Sequence, residues 1–411
     1  MVCNNTTYMQ VVLNSTELML QYHKYAFFVN TLNYNIPTAM TINKCVTPVW
    51  IFVGVLGNIV STLIWASPRM RTCNTVAYYL TCLAIADLIF LFLHLIYELE
   101  NPWLLGTLDV QGWCQLFSMA YIAVQYFCVF LVFAFTVERF LSVCHPFKSE
   151  KFSKTRTPRV IFALFVLALV LSIPQGYFWI INKVGECQVR PSEMKPPSAS
   201  FFSVYTWCSE LAVFLALPLI VLILNIVVCH KIRRVGTLQI GKSSSMKKDA
   251  RTPLTAHEVK PSTLTVEDDS PASKRLSRTN GGYNASNKGP TVTLLWVSFY
   301  LIITVLPNTF LYAMQPFVGY GVMPCSLQDM SEDPTWSAYF LFAAIKTIVK
   351  EVSLSHHVGN VFIYMATSRR FLRLCIQNFC PRTKHCRSES TKDTSLQTMR
   401  ITHSRSMGVD V

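Results

Sequence analysis

Few residues in this chain could do chemistry, and those few lie in unusual company. Asp87 sits in "LAIADL", an acid in the middle of a run apolar enough to be dissolved in lipid. A carboxylate there is either a hydrogen-bond anchor between packed helices or a site for an ion or a proton, and the residues leave both readings open. Glu138 and Arg139 stand side by side in "TVERFLSVCHPFK", where another greasy run ends. Opposite charges at such a place are costly unless they meet water, each other or a partner. The pair is thus a two-state element: closed, it occupies the Arg; open, it frees a five-donor fork. His356, His357, Asn360 and Tyr364 lie in a third apolar run. An enzyme needs grouped acids, His or Cys on facing segments, and only Asp87 with His356 and His357 comes close. No nucleophile with a base and no metal-ligand cluster is visible, so neither enzymatic activity nor a cofactor nor a metal is expected.

The elements that position these residues read as membrane spans. Of 411 residues, 52% are hydrophobic and only 14% charged, against roughly 25% charged in soluble domains. A soluble core stops growing near about 250–300 residues, so this much apolar sequence points to lipid. Windows of bilayer length fall at Val46–Ala66, Thr75–Tyr97, Cys114–Val143, Val160–Ile181, Phe201–Cys229 and Thr291–Met314. A seventh, Ala338–Met365, is interrupted by Lys346, Lys350, Glu351, His356 and His357. The expected fold is therefore all-α and integral to the membrane: a seven-transmembrane helix bundle.

Charge sets the orientation. With the N-terminus outside, the inner segments hold 28 Lys and Arg and the outer ones 5, the asymmetry of the positive-inside rule. The net +14 is then an inner-face charge against the lipid bilayer rather than a nucleic-acid footprint. Asn4, Asn5 and Asn14 each head an N-x-[ST] glycosylation sequon on the outer side. No cleavable signal is apparent, so the first span is expected to act as a signal anchor. The division expected is an extracellular glycosylated segment 1–45, a membrane domain 46–367 with a disordered inner loop 230–290, a membrane-surface helix 368–380 and a disordered tail 381–411.

Over roughly residues 45–380 the chain resembles a rhodopsin-class (class A) G-protein-coupled receptor. "GVLGNIVS" carries Asn58; Cys114 opens span three and Arg139 follows 25 residues later; "HPF" (His145, Pro146, Phe147) comes after. The family's Asp-Arg-Tyr is here Glu138-Arg139-Phe140, and its Asn-Pro-x-x-Tyr is "NVFIY", with Val361 for the proline. Pro218 and Pro307 match the family's hinges in spans five and six, but Val305 and Ile226 replace a tryptophan and a tyrosine near them. "SRRFLRLC" resembles the family's short amphipathic helix on the inner membrane face.

The resemblance implies partners and sites. Heterotrimeric G proteins, receptor kinases and arrestin would meet the inner face, with Glu138, Arg139 and Pro146 forming the coupling latch. Asn58, Asp87, His357, Asn360 and Tyr364 would form an intramembrane polar switch. A disulfide would join Cys114 to Cys187, a second could join Cys45 to Cys325, and Cys375 and Cys380 are palmitoylation candidates. Many relatives hold sodium at the matching Asp. Here Cys128 and the two histidines are poor partners for a hard cation, so weak sodium sensitivity is expected.

The ligand is narrowed by what is missing. Tyr121 stands where amine receptors carry an Asp, and Leu354 where opsins carry their lysine. Glu98, Glu100, Asp109, Glu186, Glu193, Asp329, Glu332 and Asp333 crowd the outer loops, a field that would attract a cation. Tyr97, Tyr121, Gln125, Glu210, Asn308 and Tyr312 fall at the depth where the family binds ligands. These side chains suit an extracellular peptide with an amidated, aromatic, Arg-containing end. The chain looks most like invertebrate neuropeptide receptors of the FMRFamide and proctolin/thyrotropin-releasing-hormone neighbourhood. The alternatives are a receptor of the same fold for a non-peptide ligand, or a transporter, although no internal repeat relates the two halves.

Overall fold

A computed structural model describes residues 29–71, 75–144, 156–183, 185–190, 192, 200–249, 272–318 and 332–379, with backbone alone at 235–249, 272–291 and 316. Its elements run α1 (Pro37–Trp65), α2 (Val76–Glu100), α3 (Trp113–Cys144), α4 (Arg156–Phe178), β1 (Trp179–Ile181) and β2 (Cys187–Val189). Helix α5 begins as Phe201–Glu210, passes through a π-helical turn at Leu211–Ala216 and continues as Leu217–Asp249. Helix α6 is Ala272–Met314. Helix α7 comprises Pro334–Leu354 and, beyond a break at Ser355, His356–Thr367; α8 is Arg369–Phe379. Among the described residues six helices are long and apolar enough to cross a membrane, and α7, with Glu351 buried and Lys350 facing Glu98, completes the seven-helix bundle.

Lipid is the solvent that this distribution requires. Phe52, Phe162, Ile223, Ile303 and Phe362 are exposed, while Asn58, Asp87, Ser298, Glu351, His357 and Asn360 are buried. Hydrocarbon gives apolar groups no reason to hide and polar groups every reason to. The helices form a ring, α7 closing against α1, and α3 runs through the middle touching α2, α4, α5 and α6. Close approach depends on glycine: a Cβ added at Gly57 of α1 would come within 2.7 Å of Val361 on α7.

Three differences from the expected layout have local causes. Helix α1 starts at Pro37 rather than Val46, with Pro at its first turn. Its added turns are held by packing: Ala39 and Met40 bury against Trp336 and Phe340 of α7. The inner loop is helical wherever its backbone is described, as far as Asp249 and again from Ala272. Extending a helix already nucleated costs little, so α5 and α6 continue into polar sequence. Finally, α7 breaks at Ser355, six residues before Val361, the position where the family's proline would stand. The Tyr300 hydroxyl of α6 lies 2.9 Å from both the backbone oxygen and Oγ of Ser355. A side chain inserted at the broken turn does what proline does elsewhere.

On the outer side, β1 and β2 pair antiparallel, with Ile181 opposite Cys187. The Cys114–Cys187 disulfide ties this hairpin to the start of α3, and the Cys187 amide donates to Asp109 Oδ1 at 2.8 Å. On the inner side, α8 buries Phe371 and Leu374 and exposes Arg369, Arg370 and Arg373, as an interfacial helix must.

Candidate functional site

The outer half holds a cavity walled by α2, α3, α5, α6 and α7. Five of the six expected ligand residues line it: Tyr121, Gln125, Glu210, Asn308 and Tyr312. The sixth, Tyr97, stacks on Tyr121 at 5.4 Å behind the wall. Glu210 reaches its place at the start of the π-helical turn, and turns of that kind frequently mark functional positions. Pro218 cannot donate to the Phe214 carbonyl; Thr309 of α6 does so instead, at 3.3 Å. The α5 and α6 walls are thus pinned at the level of the cavity.

One side of the cavity carries a clamp that the sequence did not reveal. Lys350 Nζ of α7 lies 2.5 Å from Glu98 Oε1 of α2 and 5.1 Å from the centre of the Tyr97 ring. His94 links the same cluster, 2.9 Å from the Tyr121 hydroxyl and 3.4 Å from Glu98. The outer carboxylates are engaged to different degrees, and Glu98 faces a fixed cation. Glu98 is buried and already paired. Glu100 accepts from the Thr107 hydroxyl and the Leu108 amide, both at 3.0 Å, and Asp109 holds the hairpin. Asp333 caps α7 through the Thr335 and Trp336 amides. Glu193 and Asp329 lie outside the described residues. Glu210 differs: among the described residues, none hydrogen-bonds its carboxylate.

Beneath the cavity lies the Asp87 node. His357 Nδ1 is 2.7 Å from Asp87 Oδ1, the Cys128 thiol donates to the same oxygen at 3.7 Å, and Asn360 Nδ2 donates to Oδ2 at 3.0 Å. Asn58 donates to the His357 carbonyl at 2.7 Å, so α1, α2, α3 and α7 meet there. Phe90 stacks on the His357 ring at 3.9 Å, and both rings line the cavity above. Tyr364 is not part of the node. It is buried between Trp65 and Phe371, at 5.4 and 5.5 Å, where it seals α8 onto the bundle. The expectation of no metal-ligand cluster also needs correction, because Asp87, Cys128 and His357 bring one ligand atom each within 4.8 Å of one another. The sequence brings the same residues together only as a poor site for a hard cation.

At the inner end, Glu138 Oε1 accepts a hydrogen bond from the Thr75 hydroxyl at the start of α2, with Arg139 half-buried beside it. Thr75 was not singled out; nothing in its own neighbourhood marks it. The expected Cys45–Cys325 bridge is not made: Cys45 is a free, exposed thiol. It lies two residues beyond Asn43, about 200° around the helix from the face that packs on α7. Cys375 sits half-buried on α8 against the core. Asn4, Asn5, Asn14, Pro146, Cys325 and Cys380 lie outside the described residues.

Comparison with known proteins agrees with this architecture. Neurotensin receptor type 1 of Mus musculus is 28% identical over 215 residues, 49% of this chain and 50% of its own length. The Substance-P receptor of Rattus norvegicus is 27% identical over 202 residues, 44% and 47% of the two chains. Neurotensin receptor type 1 of Homo sapiens is 33% identical over 131 residues, 30% of each. The chain thus spans at most about half the length of the curated relatives it matches. The family described as "7 transmembrane receptor (rhodopsin family)" matches residues 57–350, which include Asp87, Cys128, the Glu138–Arg139 pair and the cavity residues from Phe90 to Lys350. With those residues on one seven-helix frame, the chain belongs to the rhodopsin family of seven-transmembrane receptors.

Proposed function

We propose that this receptor sits in the plasma membrane with its N-terminus outside, binds an extracellular neuropeptide in the α2–α7 cavity and activates heterotrimeric G proteins. Receptor kinases and arrestin act on the same inner face. The observation that carries the peptide reading is Glu210. It lines the cavity with no hydrogen-bond partner among the described residues; Lys350 there is already paired with Glu98, and Lys346, the cation that acts on Glu210, donates its own hydrogen bond to Gln315. A cationic side chain such as Arg fits that wall, and the Tyr121, Gln125, Asn308 and Tyr312 side chains suit an aromatic, amidated end. Relatives named for neurotensin and substance P support the peptide class. A peptide-library screen with calcium and cyclic-AMP readouts identifies the agonist. With it in hand, Glu210→Gln should weaken the Arg-containing form by about 10- to 100-fold, the range of a charged hydrogen bond, and an Arg→citrulline analogue far less. Equal losses for both would take Glu210 out of the site.

At the inner end, Thr75 and Glu138 restrain Arg139 in the resting state, and ligand binding shifts the population towards the released form. Removing a charged hydrogen bond of about 1.5 kcal/mol moves such an equilibrium about tenfold. Glu138→Gln and Thr75→Val should therefore each raise ligand-independent signalling at matched surface expression. Arg139→Ala should abolish coupling and leave agonist binding intact. Unchanged basal activity in both of the first two variants would remove the latch. Glycans at Asn4, Asn5 and Asn14 and acyl chains at Cys375 and Cys380 complete the proposal.

A further inference from the structure

The Asp87 node contains the donor set of a transition-metal site. Asp87 Oδ1, Cys128 Sγ and His357 Nδ1 come from three different helices, lie within 4.8 Å of one another and belong to residues no more than 3% exposed. We propose that this node binds a borderline divalent cation, zinc by preference, rather than sodium.

Ligand softness decides the class. A hard monovalent ion wants several oxygens, and here one carboxylate oxygen is shared with a thiol and an imidazole. Thiolate and imidazole together select zinc-like ions. Charge agrees with softness. A divalent ion with one thiolate, one carboxylate and one neutral imidazole leaves no net charge in a low-dielectric interior, where an uncompensated charge would be prohibitive. The supporting contacts are of the kind that metal sites use. Asn360 holds Asp87 through Oδ2 and leaves Oδ1 for the ion; Asn58 fixes the His357 backbone. The His357 ring lines the cavity above, so an ion and a fourth ligand, water, have a route in. Binding replaces the two hydrogen bonds on Oδ1 with coordinate bonds, shifts the His357 ring proton from Nδ1 to Nε2 and releases the Cys128 proton to solvent. Because α2, α3 and α7 are joined at this point, an occupied node would tie together helices that receptor activation has to move. The inference does not depend on what the outer cavity binds.

Cobalt(II) is the probe, since it occupies zinc sites and reports a bound thiolate by a charge-transfer absorption. The full-length receptor, purified in lipid nanodiscs, should give that band at one equivalent and lose it when zinc is added. Cys128→Ser and His357→Asn should each weaken cobalt binding by about 100-fold or more, whereas Cys82→Ser on the same bundle should not. X-ray absorption of the zinc-loaded unmutated receptor needs no variant and should show a single sulfur in the shell. Failure of the unmutated receptor to give a band, a band that survives both variants, or a zinc shell without sulfur would each overturn the site.

Discussion

Two carboxylates on α2, eleven residues apart, are both buried against α7, yet they are satisfied in opposite ways. Glu98 faces Lys350 across 2.5 Å, a fixed cation for a fixed anion. Asp87 is surrounded by neutral donors: a thiol, a side-chain amide and an imidazole. The first arrangement is complete and binds the outer ends of α2 and α7 rigidly. The second has no fixed cation beside it among the described residues, so it can respond to one that arrives. In a buried ion pair, removing one partner strands the other charge. A carboxylate held by neutral groups is the place where a bundle can be reset.

The largest effect should come from breaking the clamp. Lys350→Met leaves Glu98 buried and unpaired and should cost about 3 kcal/mol, the lower end for a buried pair, because the Lys350 side chain is one-third exposed. The loss would be read as reduced surface expression and a lower melting temperature. Adding Glu98→Gln should restore most of it; a double variant as poor as the single would mean that the pair is not the clamp. Asp87→Asn should be milder, about 1–2 kcal/mol, since an amide still accepts hydrogen bonds from the same donors and no fixed cation is stranded. A melting loss larger than that of Lys350→Met would invert the comparison. Smallest of all is the sodium effect. Agonist affinity with sodium exchanged for an organic cation at constant ionic strength should move by less than about twofold, because the node lacks the oxygens a hard cation needs. A strong sodium response would show that Asp87 behaves as an oxygen site after all.

Much of this was readable from particular residues. Of the polar switch residues, Asp87, His357, Asn360 and Asn58 come together in the bundle and Tyr364 does not; intramembrane polar residues must find one another. Five of six cavity residues were reached through their register on spans already recognised. The clamp is not legible in the sequence, where Lys350 and Glu351 only interrupt the seventh apolar run. In fact Glu351 accepts from Asn43 and Thr47, at 2.7 and 2.9 Å, and fastens α7 to α1. The engagement of the outer carboxylates is hidden for a related reason. A count of loop carboxylates carries no information on which of them already cap a helix or hold a hairpin.

What the sequence determined by itself was set by short-range quantities: the length of apolar runs, the sidedness of Lys and Arg, and the spacing from Cys114 to Arg139. Those establish the spans, their expected orientation and the family. Pairing was decided only in three dimensions. Glu98 and Lys350 are 252 positions apart, Asp87 and His357 are 270, and Glu138 and Thr75 are 63. A buried charge fixes that a partner is needed, not which one. That choice falls to the rotation and depth of each helix in the bundle, set by close contacts such as Gly57 against Val361.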